Sequence, residues 1–449
     1  MRRESIEKWA WFPATVFIAV IGLAGCGGGG GGGGGVAPIT RAGGVQGNGD
    51  SDLGFALSQT GRFVAFSSGA SNFLAGDTNG VYDVYLYDRQ TGTTTRESVG
   101  LGVPPLQATG ASHFPSLSGD GTQVAFESRA ENLVGPGQDT NLRSDIFVRD
   151  RTLAVTERAS VALGGLPAQP DGDSNKPSIS LNGRYVAFFS FATNLVAGDN
   201  NGMTDVFVYD RTLLATTRVS VGPGGVQGDN NSVVFGQAVS NDGTRVAFES
   251  FATNLVAGDT NGAKDVFVRD LTGGTTTRVS VDNTGGQLNG ESRVSAISGN
   301  GRYVVFESDA TNAVAGDNNG VTDIFVRDLT AGTTTRVSVS SAGAQANGAS
   351  FALGSTTVSD DGRFIVFESD ATNLVAGDTN GVGDVFVRDT VGGTTKRLSV
   401  TAGSGQPTTV STEGAVSRDG TIAAFGSNGL EYVSDNPSGF YNVYILAMP

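Results

Sequence analysis

Along most of the chain, apolar and polar residues alternate with a period of two, in short runs rich in β-branched and aromatic side chains. Thr217-Arg218-Val219-Ser220-Val221 and Asp265-Val266-Phe267-Val268-Arg269-Asp270 are representative runs. No stretch of useful length carries the 3.6-residue period of an amphipathic helix. The alternating phrase recurs, with its phenylalanine at Phe66, Phe126, Phe188, Phe248, Phe306, Phe367 and Phe425, at spacings of 60, 62, 60, 58, 61 and 58 residues. A second marker keeps the same period: Gln46, Gln107, Gln169, Gln227, Gln287, Gln345 and Gln406, each followed five residues later by a serine. Two independent markers in one register define seven modules of about 60 residues.

Each complete module offers four strands. In the fifth the pattern predicts Ser295 to Ser298, Tyr303 to Glu307, Asp323 to Arg327 and Thr333 to Val339. Turn signals such as Ser298-Gly299-Asn300-Gly301, Ser359-Asp360-Asp361-Gly362 and Ser417-Arg418-Asp419-Gly420 join the first strand to the second. Four antiparallel strands repeated seven times predict an all-β, seven-bladed β-propeller over residues 36–449. The seventh module lacks a fourth strand, and Ile39-Thr40-Arg41 precedes Gln46 much as Thr216-Thr217-Arg218 precedes Gln227. The expectation is that this N-terminal strand closes the last blade, because an open ring would leave two unpaired edges. The order Ser-x-Asp-Gly, a strand ending Ala-Phe-x-Ser, then Asp-Val-Phe-Val-x-Asp resembles the propeller repeat of the TolB family and related WD-like bacterial proteins. That resemblance implies the fold. The modules are longer than that family's repeat and no N-terminal α/β domain precedes them, so no role is carried over.

The opening segment breaks the alternation. Arg2, Arg3 and Lys8 precede an apolar run from Trp9 to Leu23, too short to span a bilayer comfortably but suited to a signal sequence. It ends Leu23-Ala24-Gly25-Cys26, which resembles the lipobox of bacterial lipoproteins. The resemblance implies residues 1–25 as a signal peptide, cleavage before Cys26, and lipidation of that residue, the chain's only cysteine. Gly27 to Gly35 then form a flexible tether, so that 26–35 links the lipid to the propeller. Gly27 after the cysteine implies an outer-membrane anchor by the same resemblance. The expected location is the cell envelope, and the expected partners are the lipid bilayer and an envelope protein or glycan, with the chain a monomer.

Charge and composition narrow the chemistry. Lys+Arg 29 against Asp+Glu 44 give a net charge of −15, which repels phosphate backbones and excludes nucleic acid as a partner. One histidine and one cysteine exclude a His-rich metal site and an internal disulfide. No Gly-x-Ser-x-Gly elbow is present. His113 reads as structural.

The long connection between second and third strands repeats an acidic pattern: Asp77, Asn79, Asp83; Asp139, Asn141, Asp145; Asp199, Asn201, Asp205; Asp259, Asn261, Asp265; Asp317, Asn319, Asp323; Asp378, Asn380, Asp384. Glycine follows the asparagine except in the second module, which has Leu142. Oxygen ligands two residues apart with a turn glycine resemble calcium loops, so calcium is a candidate cofactor. The alternative, which weighs more, is turn chemistry, in which Asp and Asn bond their own backbone. No catalytic residue stands out. The glutamine marker reads as a blade-to-blade hydrogen bond because every module keeps it. Arg269, Arg327 and Arg388 are expected to face solvent or pair with the adjacent aspartate. Asp50, Asp173 and Glu291 share one variable slot. The long loops lie together on one face, around the mouth of the central channel, where binding is expected. The favoured reading is a lipid-anchored binding or scaffolding module. The alternative is an envelope lyase or glycosidase that uses acids at the channel mouth.

Overall fold

The computed structural model describes residues 48, 51–102, 104–401, 405–427, 432 and 442–448. They form a seven-bladed β-propeller in which each of the first six blades is a sheet of four antiparallel strands in chain order. The third blade is typical, with strands Ser174–Ile179, Tyr185–Ser190, Asp205–Asp210 and Ala215–Arg218. The seventh shows three, Ser411–Val416, Ile422–Ser427 and Asn442–Ala447. The expected closing strand at 39–41, like Cys26 and the glycine run, lies outside the described residues.

The repeated phenylalanines are a cross-strand pair. Phe188 lies opposite Phe207 and Phe306 opposite Phe325, with ring centroids 6.0 and 5.6 Å apart. Each blade turns this aromatic face toward the small, β-branched face of the blade before it. Phe248 and Phe267 of blade 4 thus pack on Ala187, Val206 and Val208 of blade 3. Second and third strands are therefore buried on both faces, while fourth strands such as Thr275–Arg278 alternate exposed and half-buried. The same packing joins the ends of the ring, where Phe66 and Tyr85 of blade 1 meet Ala424 and Val443 of blade 7.

Two strands of the fifth blade differ from expectation by more than one residue at an end. The first strand of the fifth blade is Ser292–Ile297, beginning at the marker serine rather than at Ser295. Ser292 faces Ser308, and their hydroxyls lie 2.9 Å apart. The fourth strand is Thr333–Arg336, ending before Val339. Beyond Arg336 the Val337 amide still bonds the Ile324 carbonyl, but Ser338 turns its hydroxyl to the Ile324 amide instead of continuing the ladder.

First strands carry a bulge that aims one residue out of the ladder. Register shifts between His113 and Ser116, Asn175 and Ser178, and Thr412 and Ala415. Phe114, Lys176 and Glu413 sit there at φ 49, 55 and 55°, a left-handed backbone that side chains of this size seldom adopt.

Candidate functional site

The repeated acidic loops close on an arginine. The guanidinium ending the fourth strand lies 3.1 Å from the loop acid in Arg96–Asp77, Arg336–Asp317 and Arg397–Asp378. In Arg278–Asp259, Arg158–Asp139 and Arg218–Asp199 the gap is 3.7, 3.8 and 3.8 Å. The third-strand acid completes the knot. Asp83 accepts from the Ser98 hydroxyl at 2.6 Å on one oxygen and from the Asn79 amide at 2.9 Å on the other. Asp145, Asp205, Asp265, Asp323 and Asp384 are held likewise by Ser160, Ser220, Ser280, Ser338 and Ser399. Asn141, Asn201, Asn261, Asn319 and Asn380 each donate to that acid. Burial nevertheless pushes the Asp145 carboxyl up to about 6, outweighing the nearby arginine.

This donor set does not fit calcium. The carboxylates already face hydroxyl, amide and guanidinium donors, whereas calcium requires six to eight free oxygens. Among the described residues no three His, Cys, Asp or Glu side chains gather as a metal group. Thermal melts in millimolar calcium and in chelator are therefore expected to superimpose; a rise in Tm with calcium would overturn this assignment.

The glutamine marker bridges blades, as its repetition predicts. The Gln107 side chain accepts from the Thr78 and Asn79 amides of blade 1 at 3.1 Å, and its carbonyl accepts from Asn132 of blade 2 at 2.7 Å. Arg269, Arg327 and Arg388 neither point freely to solvent nor pair with their neighbouring aspartates. They donate to Thr276, Thr334 and Thr395 across the hairpin, and burial lowers their pKa. The adjacent acids take another partner, as in Arg302–Asp328 at 2.6 Å.

The channel is closed on the short-turn face. The second residue of the Ser-x-Asp-Gly turn varies from blade to blade, and three of these residues meet across the axis. Arg418 of blade 7 donates to Asn241 of blade 4 at 2.6 Å and to the Ile179 carbonyl of blade 3 at 3.2 Å. Asn241 donates in turn to Asp360 of blade 6 at 2.8 Å. Gly299 is required at the same level, because a Cβ there would stand 1.9 Å from the Asp360 carboxylate. Above this plug, Ser355 of blade 6 donates to the Phe55 carbonyl of blade 1. The channel is thus plugged at its short-turn end, and the first strands of blades 4, 5 and 6 crowd its axis, where a Cβ on Gly236 would meet the Ser295 carbonyl at 2.4 Å.

Around its mouth the repeat is broken. At the penultimate position of the second strand stand Glu127, Glu249, Glu307 and Glu368, all buried. Three reach the next blade's first strand. Glu127 accepts from the Lys176 amide at 2.9 Å, Glu249 from the Val294 amide at 3.0 Å, and Glu368 from the Glu413 amide. Burial holds Glu307 up at about 7 and Glu368 at about 8, the latter reinforced by the Glu413 charge. Lys264 and Arg293 are the facing cations, with Lys264 2.8 Å from Glu249 and Arg293 2.9 Å from Glu291. Of the variable slot before the marker serine, Asp173 accepts from the Ser144 amide at 2.8 Å, and Asp50 lies outside the described residues.

Part of the mouth is aromatic. The Lys176 ammonium stands 3.0 Å from the Phe114 ring centre and 5.9 Å from that of Phe235. Phe191, Phe235 and Phe251 are exposed. His113 rests against Tyr82, ring centres 5.1 Å apart. The mouth therefore offers carboxyls from blades 2 and 4 to 7, interleaved in blades 2 to 4 with rings, as where Lys264 lies both 2.8 Å from Glu249 and 5.1 Å from the Phe251 ring centre. The variable residues carried a signal in the sequence: Phe-Glu-Ser in four modules is Phe-Ser-Ser, Phe-Phe-Ser and Phe-Gly-Ser in the others.

No protein-family model and no curated protein matches the chain. Among solved structures it is similar to an oligogalacturonate lyase from Vibrio parahaemolyticus, at 11% identity and TM-score 0.51, covering 90% of this chain and 92% of that one. An oligogalacturonate lyase in complex with manganese gives 12% identity and TM-score 0.50, covering 88% of each chain. TolB from Acinetobacter baumannii gives 14% identity and TM-score 0.38 over 70% of this chain, which spans only 58% of TolB's length. At such identities the lyase likenesses speak to the fold alone, and that fold is the seven-bladed β-propeller.

Proposed function

We propose that this chain is an envelope lipoprotein, anchored through Cys26, whose propeller binds a cationic ligand bearing apolar groups at the channel mouth on its long-loop face. The observation that supports this most is where the repeat fails. Residues kept in every module are consumed by internal hydrogen bonds and ion pairs. The ones that vary between modules (Phe235, Phe251, Glu307, Glu368, Glu413) gather at the mouth, where rings and carboxyls stand together. Rings and carboxylates together suit an amine beside an apolar group.

The test is calorimetric titration with a short peptide of alternating lysine and phenylalanine. Saturable binding is expected, tightening as pH rises from 6 to 9 while Glu307 and Glu368 lose their protons. Glu413→Gln should weaken it about tenfold, the scale of one charge contact of ~1.4 kcal/mol. Binding that is absent, or indifferent to pH and to that substitution, would sink the reading.

A polysaccharide-active enzyme is the second reading, favoured by Glu307 and Glu368 keeping protons near neutral pH, as a general acid must. Release of reducing ends from a polysaccharide by the wild type, lost in Glu368→Gln, would select it.

A further inference from the structure

One sector of the long-loop face is apolar where its counterparts are polar. The connections from fourth to first strand in blades 1 to 3 expose Leu101, Leu106, Leu163, Leu166 and Val226, and the blade 2 acidic loop exposes Leu142 where the others have glycine. Leu142 holds φ 58° and is 76% exposed, so a bulky side chain occupies a left-handed position with nothing beneath it. Residues 100–107, 162–169 and 222–227 contain no charged residue. The equivalent tips later in the ring read Asn283-Thr284-Gly285, Ser341-Ala342-Gly343 and Ala402-Gly403-Ser404. Val410 in the blade 6–7 connection is exposed as well, but the exposed leucines of these connections cluster in three adjacent blades, and such a cluster marks an interaction surface.

Where the chain enters says what covers it. Asn48 is fastened to this same face, its amide donating to Asn72 at 3.0 Å and its side chain to the Ser71 hydroxyl at 3.0 Å, in the long loop of blade 1. About 22 residues separate Asn48 from Cys26, so even fully extended the two lie within about 75 Å of each other. A lipid at Cys26 therefore keeps the bilayer within reach of the blade 1 edge. Leu142 is followed by exposed Arg143, a pairing suited to the interface between acyl chains and headgroups.

We propose that the arc of blades 1 to 3 rests on the bilayer that holds the Cys26 anchor, inserting Leu106, Leu142 and Leu163 at headgroup depth and leaving the blade 5 to 7 side of the mouth toward solvent. This rests on the anchored reading above. The sequence helps its test, since both tryptophans, Trp9 and Trp11, lie within the signal segment and the processed chain contains none.

The experiment expresses the full chain with its signal as Leu106→Trp, Leu163→Trp or, as counterpart in the blade 5–6 connection, Ala342→Trp. Each is reconstituted in vesicles of phosphatidylcholine brominated on the acyl chains. Mass spectrometry of the amino-terminal peptide reports lipidation of Cys26; an unmodified cysteine overturns the anchored reading and this proposal with it. With the cysteine lipidated, quenching at positions 106 and 163 is expected to exceed that at 342 at least twofold. Equal quenching at all three, or none, overturns the membrane contact and leaves the anchor standing. Emission shielded from an aqueous quencher yet untouched by brominated lipid would place a protein on the arc, and overturns the lipid assignment.

Discussion

Replacing Arg336 by alanine is expected to lower the free energy of unfolding by about 3–5 kcal/mol, the usual consequence of leaving buried charges without their partner. Arg336 lies 3.1 Å from Asp317 and 3.5 Å from Asp323, whose side chains are 3% and 0% exposed. Without the guanidinium, two carboxylates stay in a site that water barely reaches. Arg62→Ala is the informative contrast. Arg62 pairs with Asp88 at 2.7 Å, but its own side chain is 43% exposed. Removing a side chain that lies at the surface opens the Asp88 carboxyl, 11% exposed with its partner in place, to water, so a smaller loss of about 1 kcal/mol is expected. Urea unfolding of both variants checks the difference. Equal losses would show that the loop knots add nothing to the ring beyond surface charge pairing.

The second large effect is a gain. Glu368 is a buried carboxyl held up at about 8. Its folded pKa lies above the ordinary carboxylate value, so between roughly pH 4.5 and 8 the unfolded chain releases a proton that the folded chain keeps. Stability therefore falls as pH rises through that window, and the full cost is present above pH 8. Glu368→Gln keeps an oxygen that can accept from the Glu413 amide and removes the titration. It is expected to leave stability unchanged near pH 4.5 and to raise it at pH 8.5 by ~4 kcal/mol, at about 1.4 kcal/mol per pKa unit. Denaturant midpoints of the two proteins at both pH values check this. A variant less stable than wild type at pH 8.5 would mean that the ionised carboxylate is a structural element. A destabilising acid retained at the channel mouth is the kind of group that binding or proton transfer uses.

Much of the fold was legible from the residues. The Phe markers were predictive because each is half of a stacked pair that every blade needs, and the glutamine marker because it ties each blade to the one before. The metal resemblance of the acidic loops gave way to ion pairing for a reason also written in the chain. Arg96, Arg158, Arg218, Arg278, Arg336 and Arg397 each follow their loop acid, Asp77 through Asp378, by the same 19 residues. That spacing was as regular as the loop itself, but its meaning depends on a hairpin bringing the module's end back over its middle. Arg269 and its equivalents looked solvent-facing or paired with the adjacent aspartate by alternation, and they are instead half-buried against the threonine of their own hairpin.

The sequence by itself determined the seven modules, the strands within them and the turns that join them, because these depend on period-two patterning and on contacts within about 60 residues. The tertiary structure alone decided the plug and the gathering of acids and rings at the mouth. Arg418 meets Asn241 across 177 residues and the Ile179 carbonyl across 239. Glu307 and Glu368 acquire raised pKa values from the blades that enclose them. A repeat fixes what each blade does for its neighbour. What seven blades do together is decided where the ring brings distant modules face to face across one axis, and the residues gathered there are those in which the modules differ.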